Sequence, residues 1–344
     1  MDNRPLGDSP APLPPPPGAP AGERVDAAAE AVARVLAEID RLRAEKSGWG
    51  GKLILLLASL ALFYGFGLLQ NLALTLTIVI GVVLFHELGH YLGMRLFGYQ
   101  DVSIFFIPFF GGGTTGRATG VPGYQRAIVA LLGPLPGLVL ALAFGAAYLV
   151  TGWTWPGQVA WILYLINAFN LLPFYPLDGG QLIYEVLLCR HRWIETGFRI
   201  SSGVVLAVLG AVLALSRSGS QAWVFVVAGA YVIIKTLADV GLAAMAERAR
   251  GLLGGRIPPP GPDSRIPPAA AVPIIAEVLR ANPRLPNVRA IAWRVEAVWE
   301  RLSARPPGWL AAAGLLALYG AAVSGCVLVL VILWLAEAAK AAPK

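Results

Sequence analysis

The stretch VVLFHELGHYLG, residues 82–93, puts two of the chain's three histidines and a glutamate inside an apolar run. No charged residue stands between Lys52 and His86. A run of that length exceeds the roughly 20 residues that cross a bilayer once and leaves part of a second crossing. The polar pair Gln70–Asn71 is the expected break between the two. His86, Glu87 and His90 therefore fall within a membrane helix, where an ionisable side chain is costly and marks a functional site by default.

The rest of the chain belongs to the same class. Of its 344 residues, 57% are hydrophobic and 14% charged, and its mean hydropathy is +0.66. A soluble domain carries nearer a quarter charged residues. Seven apolar segments are expected to span, at about 52–70, 72–97, 125–150, 157–175, 200–216, 222–246 and 308–336. The fold class is an all-α polytopic membrane protein. The exception is 101–123, DVSIFFIPFFGGGTTGRATGVPG, where β-formers mix with prolines and glycines. It predicts an extended hairpin or loop between the second and third spans. Irregular backbone at membrane depth is tolerated only under protein cover or beside a wet cavity, so it is expected to pack near the site.

The net charge of +7 is distributed as a topology signal rather than a nucleic-acid footprint. Basic residues cluster in 24–52, 190–199 and 248–305, the last with ten arginines against four acids. One orientation, with the amino end inside, puts all three on the cytoplasmic side. The Pro-rich opening, PAPLPPPPGAPAGE, does not read as a secretory signal, and the first span is expected to serve as an uncleaved anchor. Residues 1–22 read as a disordered tail. Residues 23–47 hold an amphipathic cytoplasmic helix with Val32, Val35, Leu36, Ile39 and Leu42 at helical spacing and Glu30–Arg34 as an i,i+4 pair. It would lie on a membrane surface, pair with another helix, or stay solvated. Residues 52–246 form the core. Residues 248–307 read as a Pro-rich basic linker and a helix near 287–304, and 308–336 as an additional span. Cys189 and Cys326 lie far apart and read as apolar packing residues.

His86 and His90, four residues apart on a helix, face one side and can hold one metal ion with Glu87 beside them as a base, the H-E-x-x-H arrangement. Zinc suits imidazole ligands and lowers the pKa of water to about 7. Leu88, Gly89 and Gly93 offer small or apolar surface for close helix contacts. A catalytic zinc site takes a third protein ligand. His191, in CRHRW, reads as a surface residue. Asp239 has Lys235 one turn away, and Glu185 and Glu195 flank a basic stretch at the interface. Asp178 lies in NAFNLLPFYPLDGGQ, 167–181, where Pro173 and Pro176 break the helix. By spacing alone, a helix N-cap and a metal ligand are evenly matched for Asp178. Topology puts it at a depth that His86 and His90 can share.

These residues resemble the site-2 proteases, intramembrane zinc metalloproteases. The resemblance rests on His86-Glu-Leu-Gly-His90 in a span, followed by Asn170-Leu-Leu-Pro173 and Leu177-Asp178-Gly179, and covers about 52–246. It implies that His86, His90 and Asp178 bind one Zn2+, that Glu87 is the catalytic base, and that Asn170 helps position the substrate or the developing oxyanion. It also implies a membrane-associated β-hairpin at 101–123 whose edge could hold an unwound peptide by strand addition. The expected activity is regulated intramembrane proteolysis of membrane-protein substrates in a bacterial cell (inner) membrane, near its cytoplasmic side. The expected partners are a peptide substrate, the lipid bilayer and a possible second copy of the chain, with no nucleic acid. ALLGPLPG, 130–137, is similar to a family motif, but Gly137 stands where an asparagine is common.

Overall fold

The computed structural model describes residues 21–44, 50–51, 53–54, 56–61, 73–107, 111–118, 120–189, 191–216, 223–259, 265–283, 285 and 287–341. In chain order these form α1 (Ala21–Ala44), α2 (Ala73–Leu96), β1 (Gln100–Ile107), β2 (Gly111–Arg117), α3 (Gly123–Leu132), α4 (Pro134–Thr151) and α5 (Thr154–Asn170). They continue with α6 (Asp178–Ile183), one turn of π-helix at Tyr184–Leu188, α7 (Arg192–Leu215), α8 (Trp223–Leu252), α9 (Pro268–Ala281), α10 (Val288–Ser303) and α11 (Trp309–Ala341). A helical stretch at 56–61 precedes α2.

Among the described residues, five helical stretches are long and apolar enough to cross a membrane: Thr75–Leu96, Gly123–Thr151, Arg192–Leu215, Trp223–Leu252 and Trp309–Ile332. The chain thus reads as an integral membrane protein, with five such stretches rather than the seven expected. The difference has two sources. Much of 52–70 lies outside the described residues. The expected 157–175 segment is α5, whose 17 residues end at Asn170, because Pro173 and Pro176 cannot continue it. Two further spans begin or end beyond their expected limits: α7 starts at Arg192 and α8 runs to Leu252.

The chain divides into two units. One comprises 48–117, 121–236 and 305–344. Within it, Val82 of α2 packs with Ala141 of α4 and with Leu163 and Tyr164 of α5. Ala127 and Leu131 of α3 pack with Leu182, Val186 and Leu171, and with Ala312 and Leu315 of α11. Lipid tails are as apolar as these side chains, so close packing rather than exclusion of water holds spanning helices together. Gly89 shows how close that packing is. A Cβ built there would overlap the backbone carbonyl of Leu132 at the end of α3, so the two backbones nearly touch. Gly93, one turn on, faces the Leu132 side chain. Leu88 is exposed instead. Gly89→Ala is expected to cost about 1–3 kcal/mol by overpacking. Thermal unfolding of the detergent-solubilised protein would read this as a lower Tm, and an unchanged Tm would contradict so tight an approach.

α11 also ties down the end of α5. The Tyr319 hydroxyl donates to the Leu171 carbonyl at 2.8 Å, and Tyr164 donates to the Cys326 carbonyl at 2.6 Å. Leu171 is among the carbonyls that a helix C-terminus leaves without an intrahelical partner. The turn beyond it is fixed by Ser202, whose hydroxyl accepts from Tyr175 N–H at 3.1 Å. The Arg199 guanidinium lies over the rings of Tyr175 and Tyr184, at 4.8 and 4.7 Å. This is the turn that carries Asp178.

The expected hairpin is present. β1 and β2 pair antiparallel from Ile107↔Gly111 to Gln100↔Arg117, with an irregularity between Gln100 and Ser103. The Ser59 hydroxyl accepts from the backbone N–H of Phe106 at 3.1 Å.

The second unit comprises 1–47, 118–120 and 237–304. Its core joins Val35, Ile39 and Leu42 of α1 with Met245, Ala246 and Ala249 of α8, Ile274, Ile275 and Val278 of α9, and Ile291, Val295 and Trp299 of α10. The amphipathic face of α1 is therefore covered by other helices, and Glu30–Arg34 forms its expected pair at 2.5 Å. Glu296 meets Arg43 at 2.9 Å. α10 matches the helix expected near 287–304, and the Asn287 side chain caps it by accepting from Ala290 N–H. α9 was not expected. Its prolines suggested a linker, but Pro267 and Pro268 stand at the helix start, where a missing N–H costs nothing.

Candidate metal centre

His86, Glu87 and His90 lie on α2, and all three are buried, at 4%, 6% and 7% exposure. Asp178 comes from the first position of α6 and is 7% exposed. It makes no capping hydrogen bond to that helix, whose cap position is Leu177. Instead its Oδ2 points at the histidines, 3.1 Å from His86 Nε2 and 3.3 Å from His90 Nε2. The two Nε2 atoms are 3.1 Å apart. Among the described residues this is the one group of His, Cys, Asp or Glu side chains close enough to share an ion.

The hydrogen bonds behind the rings decide what those three atoms offer. His90 Nδ1 lies 2.8 Å from the Val129 carbonyl, which can only accept, so Nδ1 carries the proton. His86 Nδ1 lies 2.9 Å from Asn167 Oδ1. Each neutral ring then presents the bare lone pair of Nε2 to the other and to a carboxylate oxygen. Asp178 Oδ2 is buried and, though within ion-pair distance of both rings, meets no hydrogen-bond direction. Three electron-rich atoms this close in a buried site repel unless a cation sits among them. Zinc bound at about 2.0–2.2 Å in tetrahedral geometry holds its donors about 3.3–3.5 Å apart, close to the separations here. The residues fit a zinc ion. Gly133, at the break between α3 and α4, leaves the room: a Cβ there would overlap His90 Nε2.

β2 lies against the same turn of α2. Thr114 donates to Glu87 Oε2 at 2.7 Å and approaches the Glu87 carbonyl at 3.2 Å. A Cβ at Gly112 would press on the Glu87 side chain, which makes this glycine a condition of the contact. Asn170, expected near the substrate, has its amide donating back to the Ile166 carbonyl at 2.9 Å.

The other candidate ligands are engaged elsewhere. His191 is exposed before α7, as expected of a surface residue. Glu195 is buried and Glu185 half-buried, and both are paired. Glu185 meets Arg126 at 3.0 Å, and Glu195 meets Arg199 at 3.4 Å. Burial pushes the Glu185 carboxyl above its usual range, against the opposing pull of Arg126.

Asn167 and Thr114 are the site residues that sequence reasoning missed. Asn167 had a visible signal, a polar residue inside the apolar α5, but it was overshadowed by Asn170. Thr114 had none, because only the register of the hairpin brings it to Glu87.

No family model matches the chain. It is 36% identical over 143 residues to a Mycobacterium tuberculosis protein named "Putative zinc metalloprotease Rip3", a match covering 39% of this chain and 34% of that protein. It is 31% identical over 139 residues to "Putative zinc metalloprotease sll0528" of Synechocystis sp., covering 39% of this chain and 35% of the relative. The chain spans about a third of the length of the curated relatives it matches. With two histidines one turn apart on an apolar helix, an aspartate brought to them from a distant turn, and relatives named as zinc metalloproteases, this chain resembles the site-2 protease family.

Proposed function

We propose that the protein is an intramembrane zinc endopeptidase that hydrolyses peptide bonds in transmembrane segments of other membrane proteins. The observation that carries this reading is the convergence of His86 Nε2, His90 Nε2 and Asp178 Oδ2 within 3.1–3.3 Å beside Glu87, on a helix long and apolar enough to span. His86, His90 and Asp178 hold one Zn2+. Bound there, zinc supplies a water of lowered pKa and positive charge for the developing oxyanion. Glu87 takes a proton from the attacking water and delivers it to the leaving amine. Thr114 holds one carboxylate oxygen of Glu87 and so fixes its direction.

A transmembrane helix hides its carbonyls in its own hydrogen bonds, so a substrate must unwind before attack. The hairpin lies against Glu87, and a sheet edge there can hold an extended peptide by strand addition. Asn170 assists the substrate or its oxyanion; its amide nitrogen gives one N–H to the Ile166 carbonyl and keeps a second. The distribution of basic residues supports an inner-membrane orientation with a cytoplasmic amino terminus and the site towards the cytoplasmic side.

The test is cleavage of a panel of single-span peptides by the full chain in proteoliposomes, with and without a zinc chelator. Cleavage inside the apolar segment, stopped by chelation and restored by added zinc, is the expected result. Chelator-insensitive cleavage, or none across a varied panel by zinc-loaded protein, would refute the reading.

A further inference from the structure

We infer that Asn167 is a positioning residue for the metal centre. Its carboxamide oxygen holds His86 in the tautomer and orientation that turn Nε2 towards the ion. The inference deepens the reading of this site as a zinc centre and rests on it.

Asn167 is on α5, 0% exposed, and faces α2 across the helix interface. The direction of its amide follows from its second contact. Asn167 Nδ2 donates to the Leu163 carbonyl at 2.7 Å, and a carbonyl cannot donate in return. The oxygen of the amide is therefore the end that faces His86, at 2.9 Å from Nδ1. An amide oxygen only accepts, so Nδ1 carries the hydrogen and Nε2 the lone pair. An imidazole in the opposite tautomer would set a bare Nδ1 against Oδ1 and offer N–H to the metal.

A second observation shows that the fold makes room for this group. Gly137 on α4 faces Asn167, and a Cβ at that position would overlap the Nδ2, Cγ and Oδ1 atoms of its carboxamide. Gly133, one turn earlier, faces the imidazoles. The two glycines of ALLGPLPG thus leave space for successive parts of one assembly: the rings, and the amide behind one of them. His90 receives the same service from a backbone carbonyl, that of Val129. Only His86 depends on a side chain for it, and a side chain can be mutated.

Outer partners of this kind are worth roughly 10–100-fold in metal affinity. The experiment is competitive zinc titration of the purified full chain in detergent, alongside the visible spectrum of the cobalt-substituted protein. Asn167→Leu keeps the branching at Cγ and removes the acceptor; Asn167→Asp keeps the acceptor. Asn167→Leu is expected to weaken zinc by roughly 10–100-fold and to alter the cobalt spectrum, while Asn167→Asp stays within a few-fold of wild type. Gly137→Ala, which displaces the amide without touching it chemically, should weaken zinc as Asn167→Leu does. A packing role predicts the reverse order, with Leu tolerated and Asp harmful, and that order would overturn the inference. So would wild-type zinc affinity in Asn167→Leu, or an equal loss in Leu and Asp. If the wild-type chain itself takes up no zinc, the reading of the metal centre fails, a result distinct from any of these.

Discussion

Glu87→Gln will abolish cleavage while leaving zinc bound at the wild-type stoichiometry. The substitution is nearly isosteric and keeps an acceptor oxygen for the Thr114 hydroxyl, which donates to Glu87 Oε2 at 2.7 Å. His86, His90 and Asp178 are untouched, so the group that could hold the ion is intact. What is lost is the basic carboxylate. A positioned general base contributes about 10²–10⁴-fold, and the same group is asked here to return the proton to the leaving amine, so the loss should lie at or beyond the upper end of that range. Measured as initial rate against one cleaved peptide from the panel, with zinc content determined on the same preparation, the variant should be inactive and loaded. An active, loaded variant would remove Glu87 from the mechanism. Thr114→Val gives a graded companion: it removes the donor but not the base, so its rate should lie between wild type and Glu87→Gln.

The two histidines of the candidate site were legible in the sequence because their pattern is local. His86 and His90 share a helix face by spacing alone, and a run with no charge back to Lys52 makes them conspicuous. The hairpin was legible through composition, since a glycine run with flanking prolines disfavours a helix. Asp178 was visible only as a candidate. Its alternative, a helix cap, is a local use of the same residue, and sequence cannot decide between a local partner and one 88 positions away. The structure shows no capping bond from Asp178 and a close approach to both histidines. Asn167 and Thr114 were missed for a related reason. Their importance lies in which atom of another element they face, and that depends on helix rotation and strand register. The ion pairs of Glu185 and Glu195 were hidden for the same reason: their partners, Arg126 and Arg199, identify themselves only once the helices pack. Pro267 and Pro268 at the start of α9 looked like linker residues because helix-start prolines and linker prolines are written alike.

Asp178→Ala will lose the metal, and Glu185→Gln will keep it. The comparison separates two ways of completing the site, an aspartate from the turn after α5 or a glutamate from the helix that follows. Asp178 Oδ2 is within 3.3 Å of both Nε2 atoms and has no hydrogen-bond donor of its own. Because it is a proposed direct ligand, its removal should cost more than the roughly 10–100-fold attached to an outer partner, and purified Asp178→Ala should carry little zinc. Glu185 faces Arg126 instead, at 3.0 Å. Deleting one partner of this part-buried ion pair would leave the other charge uncompensated, so glutamine is the better probe because it leaves Arg126 an acceptor. Glu185→Gln is expected to be less stable on heating without any change in zinc per folded molecule. Zinc content normalised to folded protein is therefore the deciding measurement. A loaded Asp178→Ala, or a zinc-free but folded Glu185→Gln, would transfer the third ligand position to Glu185 and break the link between the turn fixed by Tyr319, Ser202 and Arg199 and the chemistry at His86 and His90.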